Sequence, residues 1–306
     1  MKIQTVALIG AGAIGSYFIS GLSDKLGGNL WTIADGERAE RLRKGGLVIN
    51  GKKYALNVRS PKEAHGADLI IVTVKYTALP GILDDIAAIV DDHTIILSPL
   101  NGVDSEEIIA KAVGTERIVY SLMKVVIRRI GNETTFNAAA ATGILFGEKD
   151  GSLTPRTAAI DELFNGSGVR HTLRTTIIQD KWYKYALNVS RNLPQAILNC
   201  GFEGYVKSEN VDYISKKMRA EVVAVAAAKG IDISDPNNPI GRNQKNLSDA
   251  RFSTLQDLDA KRPTEIDMFS GALVRMGKEL GVPTPFNDFA LHAIKALEEK
   301  NAGLFS

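Results

Sequence analysis

Six residues near the start of the chain, Gly10-Ala11-Gly12-Ala13-Ile14-Gly15, restrict what the rest can fold into more than any other feature. They follow the apolar run Val6 to Ile9 and lead into Ile14, Tyr17, Phe18 and Leu22, whose i, i+3, i+4, i+8 spacing makes one apolar face of a helix. A strand, a glycine turn and a helix in that order is the setting in which G-x-G-x-x-G binds the pyrophosphate of a dinucleotide. Gly10 permits the tight turn, Gly12 removes the side chain that would block the pyrophosphate, and Gly15 lets the helix close on its strand. The helix N-terminus then offers unpaired N–H groups and the positive end of its dipole. Asp35, 20 residues past Gly15 at the end of the second β-rich run, completes the pattern.

The first half of the chain repeats the alternation that this loop begins. β-rich runs at Thr5–Ile9, Asn29–Ala34, Leu69–Val74, Thr94–Leu97 and Arg117–Leu122 are separated by helical periods, which predicts βαβ units in a mostly parallel, doubly wound α/β sheet. Asn50-Gly51 between two β runs predicts a hairpin insertion. TTFNAAAATGILFGE reads as two strands returning to the same sheet. Ligands of such sheets bind outside the carboxyl ends of the strands, which singles out Asp35, Lys75 and Asn101, each at the end of a predicted strand. After His171 long helical periods take over and β-rich runs disappear. The expectation is a dinucleotide-binding Rossmann domain over 1–175 and an all-helical domain over 176–306, with the softest linker at Asp235–Asn246. A chain of 306 residues has ample material for two such domains.

Composition excludes several partners. The 37 basic and 35 acidic residues leave a net charge of +2, without the field that nucleic-acid binding uses, and Lys216 to Arg219 read as a solvated helix face. No apolar run approaches the ~20 residues of a membrane helix. The N-terminus, with its early glycines, is the wrong build for a secretory signal. A single cysteine, Cys200, fits a reducing compartment, and the four scattered histidines lack metal-ligand spacing. The expectation is a cytoplasmic protein with no metal, no membrane and no nucleic-acid partner, its assembly open between a monomer and a homodimer.

A second polar constellation lies in DKWYKYALNVSRNLPQAIL. Lys184, Asn188 and Asn192 recur every four residues and form one stripe along a helix whose other positions are largely apolar. Asparagine is a poor helix-interior residue because its amide competes for the backbone, so two on one face ask for a reason. Ser253 and Glu265 form another candidate pair, with Pro263 and Thr264 reading as a helix start and Glu265 as an acid in its first turn.

These residues carry a resemblance. GAGAIG, VTVK, LNG, GILFG, the KWYKYALNVSRN helix and RFSTLQDLDAKRPTEID together resemble the ketopantoate reductase family over nearly the whole chain. The resemblance implies a Rossmann domain followed by a helical domain similar to the C-terminal domain of 6-phosphogluconate dehydrogenase, with the active site in the cleft between them. It implies reduction of 2-dehydropantoate to D-pantoate, for pantothenate biosynthesis, with NADPH as the hydride source. Carried over by position, Lys184 is the proton donor and Glu265 the active-site acid. Asn188, Asn192 and Ser253 fall on substrate positions, Lys75 on a cofactor position, and Asn101 on one serving the cofactor and the substrate. The chemistry agrees: hydride addition develops negative charge on the ketone oxygen, which an ammonium both stabilises and protonates.

The chain departs from the family at four places. Asn192 is followed by Leu193 and Pro194 where relatives have Asn-Pro, a further substrate asparagine has no clear equivalent beyond Asn199, and Arg191 adds a charge that could face a different acidic substrate. Asp35 replaces the basic residue of NADPH-using members. Alone it points to NAD(H), through the ribose diol. The resemblance points to NADP(H), with Asp35 turned away or paired with Arg38 and Arg38 receiving the 2′-phosphate. Two other readings are a dehydrogenase for another branched 2-oxo acid and a non-catalytic nucleotide sensor; the sensor is opposed by the presence of Lys184 and Glu265.

Overall fold

In the computed structural model the run after Thr5 becomes β1 (Val6–Ile9), buried along its whole length, as a parallel strand covered on both faces must be. The structure describes residues 1–235, 238, 240 and 250–306. These divide into two units, Met1–Ile177 and Ile178–Ser306. The first unit holds β2 (Leu30–Ile33), β3 (Leu47–Ile49), β4 (Lys52–Tyr54), β5 (Asn57–Arg59), β6 (Leu69–Val72) and β7 (Ile95–Leu97). It continues through β8 (Ile118–Lys124), β9 (Ile127–Ile130), β10 (Glu133–Phe136), β11 (Gly143–Gly147) and β12 (His171–Leu173).

Eight strands form one sheet in the order β12-β11-β8-β7-β6-β1-β2-β5. Only the β8–β11 pair is antiparallel. From β1 the chain winds outward to β2 and β5, then crosses back to β6 on the other side. The order therefore reverses between β1 and β6, where an open α/β sheet leaves its ligand crevice. Alternate residues of β1 feed opposite cores: Val6 and Leu8 pack with Tyr17, Phe18 and Leu22 of the helix Ala13–Leu26, whereas Ala7 and Ile9 pack with Ile70, Ile86 and Ile109. Each fully buried leucine or isoleucine contributes roughly 1.5–3 kcal/mol, so this double cover is a main source of the unit's stability.

The Asn50-Gly51 hairpin forms as expected between β3 and β4, both residues taking positive φ (49° and 77°), as a tight primed turn demands. It belongs to a separate four-stranded sheet, β4-β3-β10-β9. This corrects the expectation for TTFNAAAATGILFGE: β11 joins the large sheet, but β10 joins the small one. The burial explains the split. β11 is buried at every position and suits a covered sheet, while in β10 only Thr134 is buried and its neighbours are more exposed.

The second unit is helical throughout its described residues, with helices Ile177–Leu198, Glu209–Ala228, Ser253–Asp259, Ala272–Leu280 and Pro285–Asn301 among its elements. Ser208 caps the second of these by accepting from the Val211 N–H. Gly281, at φ 69°, ends the Ala272–Leu280 helix in the left-handed conformation. Asn287, fully buried, ties two helices together by donating to the Met218 carbonyl (3.2 Å) and to Glu221 (2.7 Å). Apart from Asp235, Asn238 and Ile240, the expected linker Asp235–Asn246 lies outside the described residues.

Candidate active site

The glycine loop joins β1 to the helix Ala13–Leu26, and its three glycines are required for different reasons. A Cβ on Gly15 would lie 2.0 Å from the Gly10 carbonyl oxygen, and one on Gly10, at φ 105°, would lie 2.7 Å from the Thr73 backbone. Both are demanded by the protein's own packing. Gly12 is not: its φ is −90°, and a Cβ there would meet only Arg129 Nη1, at 3.9 Å. The space in front of Gly12 is thus open in the protein, which fits a pyrophosphate laid against the backbone. Gly12 is also the N-cap of the helix, with no side-chain capping bond and no acid in the first turn, so the dipole end is left for a ligand. The loop is clasped by Thr73 Oγ1, which donates to the Gly10 carbonyl (2.6 Å), by Ser16 Oγ to Gly12 (2.8 Å), and by Arg129 Nη1 to Ala11 (2.8 Å).

The parallel register, with Ile9 beside both Ile33 and Val72 and Ile71 beside Leu97, brings the carboxyl ends of β1, β2, β6 and β7 to one edge. Asp35, Lys75 and Asn101 all follow that edge. Lys75 and Asn101 do not end their strands, as the sequence suggested; they sit three and four residues past Val72 and Leu97, beyond Thr73, whose N–H still donates to the Ile9 carbonyl (2.8 Å), and Ser98, whose hydroxyl donates to Ser105. Asp35 is exposed and precedes the helix Gly36–Gly45, its side chain making no capping bond. No ion pair joins it to Arg38 among the described residues, so that pairing is not how the acid is accommodated. The edge is mixed in charge. Asp85, raised by burial and then by the charges of Asp35 and Asp84, stands on the acidic side. Arg129, lowered by burial and by the neighbouring charges of Arg38 and Arg41, stands on the basic side.

In the second unit the predicted stripe lies on the helix Ile177–Leu198, which continues through Pro194. Lys184 and Asn188 are half-buried and Asn192 is buried. Asn192 Nδ2 lies 3.4 Å from the exposed Ser253 Oγ, bringing together two candidates 61 residues apart. Gln195, fully buried one turn further on, holds that approach: its Nε2 donates to the Ala250 carbonyl and its Oε1 accepts from the Phe252 N–H, both at 2.7 Å. Glu265 is half-buried but does not begin a helix at Pro263, as expected. Thr264 is drawn off by Glu298, whose carboxylate accepts its N–H (2.6 Å), and a π-helical turn, Asp267–Gly271, intervenes before the Ala272–Leu280 helix. Such turns recur at functional sites. The neighbour of Lys184, Tyr185, donates to the Phe269 carbonyl in that turn, and the Phe269 N–H donates to the Glu265 carbonyl (3.1 Å). The backbone bearing Lys184 is thereby tied to the backbone bearing Glu265.

Asn199 is not a third stripe residue. It takes a left-handed conformation (φ 47°) directly after the helix, and its side-chain oxygen accepts from Arg251 (3.1 Å), itself paired with Asp259. Arg129, Thr73 and Gln195 escaped the sequence reading. Arg129 and Ala11 are 118 residues apart and no local pattern links them, whereas Gln195, the next polar residue along the helix face, was there to be read.

Fold and loop define the class: a nicotinamide-dinucleotide oxidoreductase with a Rossmann-type first unit and an all-helical second. The chain matches ketopantoate reductase PanE/ApbA over residues 6–151 and ketopantoate reductase PanE/ApbA C terminal over residues 176–298. It belongs to the ketopantoate reductase family. The 2-dehydropantoate 2-reductase of Archaeoglobus fulgidus is 27% identical over 308 residues, covering 97% of this chain and 99% of that relative. That of Streptococcus pyogenes serotype M1 is 28% identical over 303 residues, covering 96% and 97%. Among solved structures, D-mandelate dehydrogenase with NADH is 25% identical and superposes with a TM-score of 0.84 over 97% of this chain and 99% of that one. The PanE/ApbA family ketopantoate reductase of Ralstonia eutropha JMP134, 24% identical, superposes at 0.81 over the same shares.

Proposed function

We propose that this protein reduces the ketone of 2-dehydropantoate, with Lys184 as proton donor, Glu265 as the acid beside it, and Asn188, Asn192 and Ser253 as substrate-binding groups. The observation that carries this reading is the contact between Asn192 and Ser253, which gathers neutral hydrogen-bonding groups on the face that bears Lys184. Asparagine amides and a serine hydroxyl can bond the hydroxyl and carbonyl oxygens of a substrate without adding charge that would disturb a lysine. Relatives at 27–28% identity across nearly full length, named for this reaction, support the same substrate.

The bound dinucleotide supplies the hydride. The protein's part is to hold it at the switch point between β1 and β6, with Gly10 to Gly15 against the pyrophosphate and Lys75 and Asn101 at the strand edge. Lys184 keeps an ammonium at the ketone oxygen, where it stabilises the charge that develops and delivers the proton. Lysine is preferable to arginine for this task because its ammonium can give up a proton. The domain division 1–175 and 176–306 assigns cofactor binding to the first part and substrate chemistry to the second, and the two separate family matches support it.

The cofactor we assign is NADPH. The charges of Arg38 and Arg41 reach Arg129, which donates to the Ala11 carbonyl of the glycine loop, and the three make a basic group suited to a 2′-phosphate. One observation favours a second reading, an NADH-dependent dehydrogenase of another 2-oxo acid: Asp35 is exposed and without an ion pair to Arg38, and a D-mandelate dehydrogenase with NADH is among the similar structures. The test is steady-state oxidation of NADPH and of NADH with 2-dehydropantoate and a panel of branched and aromatic 2-oxo acids. The proposal expects the highest kcat/KM for 2-dehydropantoate with NADPH. Preference for an aromatic 2-oxo acid with NADH would establish the second reading.

A further inference from the structure

The sequence suggested that Lys216 to Arg219 is a solvated helix face. Lys216 and Lys217 are exposed, but Arg219 is half-buried and its Nη1 is buried with no hydrogen-bond partner. Arg191, singled out in the sequence as an added charge on its helix, is in the same condition: half-buried, with its Nη1 buried and, among the described residues, unpartnered. Arg191 is lowered by its burial and then by the charge of Arg219, which reaches it from the neighbouring helix Glu209–Ala228. The remaining groups acting on Arg191 among the described residues are the phenols of Tyr205 and Tyr183. The Tyr205 hydroxyl is already committed to the Arg191 backbone carbonyl.

Arginine stays charged in any protein environment, so two repelling guanidinium groups with buried, unpaired N–H donors are destabilising unless something answers them. Aromatic rings cover part of the need. Arg191 lies over Phe202, 5.4 Å from the ring centroid, and Arg219 over Tyr183 at 4.9 Å. A ring satisfies the face of a guanidinium but not its in-plane donors, and that edge is the one that takes a carboxylate. At 100° per residue, Arg191 falls roughly 20° from Lys184 around the helix, on the side away from Asn192, and ~10 Å further along the axis. Arg191 thus lies on the same side of the helix as the proposed proton donor, and Arg219 covers the ring of Tyr183, the residue before that donor in the chain.

We infer that Arg191 and Arg219 form a carboxylate-binding site in the helical unit that takes a carboxylate of the 2-oxo acid reduced beside Lys184. The inference rests on the reductase reading for the identity of the ligand, but not for the existence of the site. The carboxylate can be the one next to the ketone or a second one at the far end of the substrate; the chemistry of the site is the same.

The test uses the full-length protein and its Arg219→Gln and Arg219→Lys variants. Steady-state constants are measured with 2-dehydropantoate and with a five-carbon 2-oxo dicarboxylate, and malonate binding is measured by calorimetry without cofactor. Arg219→Gln is expected to raise the KM of the 2-oxo acid about 10- to 100-fold, with kcat within about threefold, and to weaken malonate binding in parallel. Arg219→Lys, which keeps the charge, is expected to recover part of both losses. Equal losses on the two substrates assign the carboxylate beside the ketone; a loss confined to the dicarboxylate assigns the distal one. If wild-type protein reduces no 2-oxo acid yet malonate binding still depends on Arg219, the reductase reading fails and the site stands. If malonate binding and KM are unchanged in Arg219→Gln, or if only its melting temperature falls, the arginines are structural and the inference is overturned. Should Arg219→Gln not fold, Arg219→Lys carries the same decision: malonate binding and KM equal to wild type overturn the site.

Discussion

In the glycine loop most of the contacts are made within the first turn of chain or with a neighbouring strand: Gly15 presses on Gly10, Ser16 bonds back to Gly12, and Thr73 reaches across from the end of β6, with Arg129 a clasp from far along the chain. The polar face of the Ile177–Leu198 helix is assembled from afar, Asn192 meeting Ser253 and Gln195 gripping residues 250 and 252. The first region is a backbone shape that a short sequence dictates. The second is a set of side chains that become a site only when separate helices pack. In the loop, then, sequence changes are expected to act on folding or on ligand approach one glycine at a time, while on the helix they are expected to act on chemistry and substrate with the fold intact.

Lys184→Ala sharpens this contrast most. It is expected to lower kcat by ~10²–10⁴, the range for removal of a general acid, with unchanged thermal stability. Stopped turnover assays at saturating substrate measure it. Gly15→Ala comes next and acts on the opposite quantity. A Cβ placed 2.0 Å from a backbone oxygen forces the loop apart, at a cost of about 3 kcal/mol or more in urea unfolding. A stability equal to wild type would mean the loop deforms freely.

Asn192→Ala and Ser253→Ala are each expected to raise the KM of the keto acid by the equivalent of about 1–3 kcal/mol, with kcat little changed, since both serve binding rather than developing charge. Unchanged constants in both would move the substrate elsewhere on the helical unit. Gly12→Ala then separates the glycines from one another. Its Cβ meets only one arginine nitrogen, so folding stability should stay within about 1 kcal/mol, while NADPH affinity falls roughly tenfold or more. The smallest effect concerns the 2′-phosphate. Arg38→Ala should weaken NADPH about three- to tenfold and leave NADH unchanged, because an exposed cation contributes only modestly. If the wild-type enzyme prefers NADH and Asp35→Ala removes that preference, the acid rather than the arginines reads the cofactor.

The parts of the fold that were legible in the sequence are those with short-range causes. The βαβ alternation, the Asn50-Gly51 hairpin and the change to helices after His171 all follow from local periodicity and turn chemistry. β10 was misplaced because a half-buried strand and a fully buried one share similar residues and differ in what covers them. Glu265 was read as a first-turn acid because Pro263 ordinarily opens helices, whereas here the helical turn starts later, at Asp267, and in π form. The stripe of Lys184, Asn188 and Asn192 could be read from its spacing. Gln195 continues that face and was open to the same reading, whereas the approach of Arg129 to the glycine loop was not, since the two segments have no fixed offset in sequence.

The claim that cofactor binding and chemistry reside in separable regions is tested most directly by titrating NADPH against Lys184→Ala, followed by fluorescence on the same preparation whose turnover has been measured. The account predicts a dissociation constant within about twofold of wild type beside a kcat reduced by ~10²–10⁴. Turnover above half of wild type, or a dissociation constant that rises in step with the loss of turnover, would contradict it.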